Sequence, residues 1–82
     1  MSTKWNEFTL EVSQFLESLQ VNFRSGENLG EQLDSLDRLN MVNFCESILN
    51  IDLTEILLNK GAWTNFDNFL AEIQMKVLHD LV

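Results

Sequence analysis

Apolar residues recur at helical spacing over most of this chain. Trp5, Phe8, Val12, Phe15, Leu16 and Leu19 lie three and four residues apart, the mark of one buried stripe on a helix. The spacing predicts a first helix over about residues 4 to 20. Ser2 or Thr3 can cap it, and Glu7 falls in its first turn, where the helix dipole favours an anion. The period then stops. "QVNFRSGENLGEQL", from Gln20 to Leu33, contains Gly26 and Gly30 and reads as a long loop. Loops of this length without structure of their own are uncommon and often functional. Phe23, Leu29 and Leu33 are expected to pin it to the core.

Periodicity resumes at Ser35 and predicts a second helix to about Leu49, with Asp34 as its cap. Met41, Val42, Cys45, Ile48 and Leu49 share one face, and Asn40, Asn43, Ser47 and Asn50 share the opposite one. Leu36 breaks the pattern, because it projects from the polar face one residue after Ser35. "IDLTEILLNKG" predicts a short helix begun by Asp52 or Thr54 and ended by Gly61 in the left-handed conformation. A last helix follows, capped by Thr64 with Asp67 at the third helical position, and striped by Phe66, Phe69, Leu70, Ile73, Val77 and Leu81. No strand pattern competes with these elements. The expected fold is all-α, with three longer helices, one short helix and a long loop after the first.

Composition agrees. Pro is absent and Gly occurs three times, so breakers are few. With 82 residues, 45% apolar, the chain has room for one small domain spanning 1–82 with a single modest core. Net charge is −8, from thirteen acids against five bases. Such a field repels phosphate backbones and anionic lipid surfaces, which argues against nucleic-acid binding, and it attracts basic patches on proteins. No apolar run approaches the roughly 20 residues that span a bilayer, so membrane insertion is not expected. A single cysteine and no signal peptide point to a reducing, cytoplasmic setting.

Most catalytic chemistry lacks its residues. One His and one Cys make no metal site. His79 lies near the end of the last helix, where a cation suits the dipole. Cys45 sits on an apolar face and reads as a small core residue. Trp63, just ahead of the last helix, is expected to pack, with partial exposure the alternative. No acid–base pair or Gly-rich phosphate loop is visible, so an independent enzyme is disfavoured. Ser35 is left. It is a helix-start serine, or it is a hydroxyl presented where free helix amides can receive a phosphate.

The stretch "NLGEQLDSLDRLNMVNFCESILNIDL", from Asn28 to Leu53, together with the capped final helix beginning "WTNF" at Trp63, resembles the acyl and peptidyl carrier proteins. The order of elements matches that family over nearly the whole chain. The resemblance implies a four-helix bundle of acyl-carrier type, in which Ser35 receives 4′-phosphopantetheine from coenzyme A through a separate phosphopantetheinyl transferase. It implies a non-catalytic, stand-alone monomer that carries an acyl or aminoacyl group as a thioester, from a loading ligase or transferase to a downstream acyl-accepting enzyme. Asp34 matches the acid that helps the transferase bind, and Leu36 the leucine that packs on partners. Asp37, Arg38, Asn40 and Asn43 fall on the surface such partners read.

The departures narrow this expectation. Asn40 stands where fatty-acid carriers have Glu, Asn43 and Ser47 are neutral, Arg38 adds a cation beside Asp37, and Glu46 is the one acid later in the helix. These favour a dedicated pathway over general fatty-acid synthesis. The residues before Asp34 and the Trp ahead of the last helix look like free-standing aminoacyl or D-alanyl carriers. Bulky Phe15, Phe44, Phe66 and Phe69 favour small cargo. The alternative is a small acidic helical interaction module, or a degenerate carrier-like protein that is not modified.

Overall fold

Helices form where the periodic stripes lie: α1 (Thr3–Ser18), α2 (Ser35–Leu49) and α3 (Phe66–Leu81). Two 3₁₀ turns, Thr54–Leu58 and Lys60–Trp63, join the last two helices. The structure is a computed structural model that describes the backbone of residues 3–81 and the side chains of residues 4–78. The capping expected of Ser2 or Thr3, the dipole role of His79 and the place of Leu81 in the last stripe fall outside the described residues. Among those residues the chain is all-helical, with no strand. Its radius of gyration, 11.8 Å, matches the roughly 12 Å of a compact chain of this length.

α1 stops at Ser18, two residues before the predicted end. Gln20 adopts a left-handed φ of 61°. The Val21 N–H donates to Leu16 O (3.0 Å) and the Gln20 N–H to Glu17 O (3.0 Å). This pairing satisfies carbonyls that a helix end otherwise leaves open, and buried Val21 and Leu16 supply the apolar contact that accompanies it. No glycine is present to signal the stop, so periodicity alone overran it. α2 ends similarly at left-handed Asn50, whose N–H reaches Glu46 O at 2.7 Å.

The core draws on every element and on the long loop. Phe8, Val12 and Leu16 of α1, Met41, Val42 and Cys45 of α2, and Phe69 and Ile73 of α3 are essentially sealed from solvent. Leu29, Leu33 and Phe23 join them from the loop, as expected of its large apolar residues, and Val21 adds a fourth contact. Each such apolar side chain contributes on the order of 2 kcal/mol through burial. α1 packs on α2, where Phe15 and Phe44 stack at 5.0 Å, and Phe23 meets Phe66 edge-on at 4.9 Å. No polar or charged residue is buried among the described residues.

The segment after α2 departs most from expectation. Instead of one short helix there are two 3₁₀ turns, and Gly61 lies inside the second rather than ending the first in a left-handed conformation. Asn59 breaks the run. It is extended (φ −90°, ψ 99°), its side chain accepts from Ala62 N at 3.2 Å, and its amide donates to Glu72 of α3 at 2.8 Å. A Lys76–Glu55 ion pair adds a second tie to α3. The cap of α3 is Asn65, which accepts from Asn68 N at 2.8 Å; Thr64 instead closes the preceding turn in helical geometry. The helix starts one residue later than a Thr64 cap requires, so Asp67 falls short of the third position.

Two side chains outside the packed stripes lock this segment. Glu46 reaches out of α2 to accept from Leu53 N (2.7 Å) and the Thr54 hydroxyl (3.4 Å). Asp52 accepts from Thr54 N (2.9 Å) and the same hydroxyl (2.7 Å). These bonds, the backbone one foremost, hold the Asp52 carboxyl below its ordinary value. Trp63 is buried, and its indole N–H donates to Ile56 O at 2.9 Å.

Two outcomes follow from this packing. Trp63→Phe keeps most of the ring but leaves the Ile56 carbonyl without its donor, so it should cost about 1–3 kcal/mol in urea unfolding; an unchanged midpoint would show that the bond contributes nothing. For Asp52, a lowered folded pKa means the unfolded chain binds more protons in the acid range. Its stabilising contribution is therefore present above the ordinary carboxylate value and is lost as pH falls through the folded value. Urea midpoints measured from neutral pH down to about pH 3 should fall less in Asp52→Asn than in the parent chain. Identical pH dependence would remove Asp52 from that role.

Candidate functional site

The long loop meets α2 at Leu33, Asp34 and Ser35, and this junction carries the candidate site. Asp34 is extended (φ −79°, ψ 179°), and its carboxylate accepts from Asp37 N at 2.8 Å. The predicted cap is thus in place, and the cap is the aspartate rather than the serine. Ser35 is the first residue of α2 and is exposed. Among the described residues nothing hydrogen-bonds its hydroxyl. The Ser35 and Leu36 amides belong to the first turn, which has no preceding carbonyls to pair with, so they remain available to an anion.

Around Ser35 the surface is both apolar and acidic. Leu36 is 63% exposed, as its place on the polar face predicts. Leu39, 42% exposed, lies three residues further on the same side. Sequence reasoning passed over it, although the same wheel that isolates Leu36 puts Leu39 beside it. Asn40 and Asn43 are exposed, and with Leu36 they follow the four-and-three spacing of one helix face. Glu31 and Asp34 are exposed and Asp37 half-buried, so three carboxylates lie within four residues of the serine along the chain.

Arg38 is placed differently from these residues. Its guanidinium turns back onto the loop, where Nε donates to Leu33 O at 3.2 Å and Nη2 donates to Gly30 O. It also lies 5.9 Å from the centre of the Trp63 ring, within cation–π reach. Trp63 holds the same loop from the other side, since its carbonyl accepts from Leu29 N (3.1 Å) and Gly30 N (2.9 Å). The approach is close at Gly30, where an added Cβ would lie 3.3 Å from Asn28 Oδ1, 3.5 Å from Trp63 Cβ and 3.6 Å from Arg38 Nη2. Gln32 completes the loop by pairing its side-chain amide with both backbone groups of Asn22, at 2.8 and 2.7 Å.

Other chemistry is absent from this surface. Among the described residues no group of three or more His, Cys, Asp and Glu could hold a metal ion. Cys45 is sealed in the core; burial, helped by the charge of Glu46, pushes its thiol up to about 12, so it stays protonated and unreactive at neutral pH. No described helix is long and apolar enough to cross a membrane. Open hollows of about 480 Å³ beside Phe23 and Arg24, and about 460 Å³ between the first 3₁₀ turn and α3, are not lined by Ser35. Comparison with known proteins finds no family model, no curated protein and no solved structure that matches this chain.

The division of labour between Asp34 and Ser35 has a measurable consequence. Asp34→Ala should destabilise the fold by about 1 kcal/mol through loss of the cap. Ser35→Ala should change it by less than about 0.5 kcal/mol. Equal losses in urea unfolding would mean that the hydroxyl shares the capping.

Proposed function

We propose that this chain is a stand-alone carrier protein with a bundle of acyl-carrier type, bearing 4′-phosphopantetheine on Ser35. The observation that carries the reading is the exposed Ser35 hydroxyl, which opens a helix already capped by Asp34 and has no hydrogen-bonding partner among the described residues. The order helix, long loop, helix, short 3₁₀ region, helix supports it, with two turns standing where the family has its short third helix.

The residues present fit the group. A hydroxyl at the surface can be reached by a transferase, and the Ser35 and Leu36 amides favour a phosphodiester beside them. In the loading step Ser35 Oγ forms an ester bond to phosphorus while the pyrophosphate bond of coenzyme A breaks. The nucleotide bisphosphate leaves with the electron pair, and the hydroxyl proton passes to a base on the transferase. Once attached, the group supplies a thiol that holds an acyl or aminoacyl cargo as a thioester. The protein's part is to orient this arm and to identify itself to successive enzymes.

Leu36 and Leu39 are the apolar contacts for those enzymes, and the carboxylates of Glu31, Asp34 and Asp37 favour basic partner surfaces. Attraction of this kind raises encounter rate more than final affinity, which suits a surface used in turn by a transferase, a loading ligase and an acceptor enzyme. Bulky Phe66 and Phe69 in the core, with Phe15 and Phe44 packed against it, favour a small cargo that stays outside the bundle. The protein acts as a cytoplasmic monomer in this reading.

Incubation of the apo protein with coenzyme A and a broad-specificity phosphopantetheinyl transferase tests it by intact mass. One phosphopantetheine should be added to the parent chain and none to Ser35→Ala. Failure with several transferases would sink the carrier reading and leave an unmodified interaction module using the Leu36 surface.

A further inference from the structure

Arg38 is the one cation between Glu31 and Leu49, and the carrier resemblance places it only on the surface that partners read. A cation three residues after the modified serine suggests a contact for an acidic partner. In the free chain the guanidinium is instead engaged on the Leu33 and Gly30 carbonyls and lies against Trp63. Leu33 is two residues before Ser35, and Gly30 is five before it. A side chain rooted in the first turns of α2 thus ties down the last stretch of the path by which the loop reaches that helix, alongside the Trp63 carbonyl that holds Leu29 and Gly30.

We propose that Arg38 is a positioning residue for the modification of Ser35. Resting on the carrier reading, this assigns Arg38 two linked effects. It holds residues 30–34 in the path that presents Asp34, Ser35 and Leu36 together to a transferase. It also draws its positive charge toward the loop carbonyls, so that the carboxylates of Glu31, Asp34 and Asp37 dominate the surface seen by a basic partner. Arginine is required because two carbonyls must be met at once by a planar fork, whereas lysine is a point charge that serves one site less rigidly.

A loop that samples other paths is competent to dock only part of the time. Apparent affinity then falls by the competent fraction, while chemistry in the docked complex is unchanged. Steady-state loading by a phosphopantetheinyl transferase should show this in the KM for the apo protein. Arg38→Ala should raise that KM roughly tenfold, with kcat held within about twofold and the far-UV circular dichroism of a helical chain retained. Arg38→Lys should fall between the two. Hydrogen exchange of the Leu29 and Gly30 amides should accelerate in both variants, while those of α1 and α3 stay as in the parent.

The outcomes separate cleanly. No loading of the parent chain overturns the carrier reading and this inference with it. Normal loading of the parent with parental KM in both variants, or a loss confined to kcat, overturns the positioning role alone. If Arg38→Ala loses helicity, Arg38→Lys carries the test: a raised KM supports the role, and a parental KM overturns it.

Discussion

The backbone of a long loop has polar groups that no helix satisfies, and this chain answers that constraint chiefly at Trp63. Its carbonyl takes the Leu29 and Gly30 amides, its indole N–H takes the Ile56 carbonyl, and its ring lies beside the guanidinium that holds the Gly30 and Leu33 carbonyls. Backbone groups left unpaired in so small a core would cost as much as several helix caps. One residue in the short 3₁₀ region thus joins loop, second helix and third helix. The approach is close enough that Gly30 has little room for a side chain.

Charge is arranged in the same economical way. The acids outnumber the bases by eight, yet no charged side chain among the described residues is buried. Several of them work locally. Asp34 caps α2, Glu46 and Asp52 organise the chain after it, Glu72 receives Asn59, and Glu55 pairs with Lys76. Exposed ion pairs add little stability, so the fold rests on its apolar core and on side-chain bonds to backbone groups. Glu31 and Asp37, within four residues of Ser35 along the chain, contribute charge to its surroundings instead.

Much of this was legible in the sequence wherever one periodicity decided the matter. The bounds of α2, the Asp34 cap and the exposure of Leu36 follow from a wheel and from capping chemistry, and the anchoring by Phe23, Leu29 and Leu33 from their being the large apolar residues of the loop. The misses occur where a local signal competed with a tertiary one. α1 ends at a left-handed Gln20, a conformation that sequence rules reserve for Gly or Asn. The stretch begun by Asp52 or Thr54 and closed by Gly61 reads as one short helix by its capping residues but is divided at Asn59, whose side chain caps one turn and reaches α3. Thr64 and Asn65 are both good capping residues one position apart, and only the packing of α3 chooses between them. At the site, Leu39 could have been read from the wheel. The inward turn of Arg38 could not, because its acceptors are carbonyls, which the order of side chains does not disclose.

The spare hydroxyl of Ser35 says something about information as well as energy. Asp34 performs the task for which serine is commonly chosen at the start of a helix. The fold therefore makes no demand on the identity of residue 35 beyond tolerance of a first helical position, where many side chains serve equally well. A position to which folding is indifferent is one where a substitution tests something other than folding. At most sites in this chain, stability and function would be entangled in any substitution. At Ser35 they come apart, and the meaning of the serine can be read without the fold answering first.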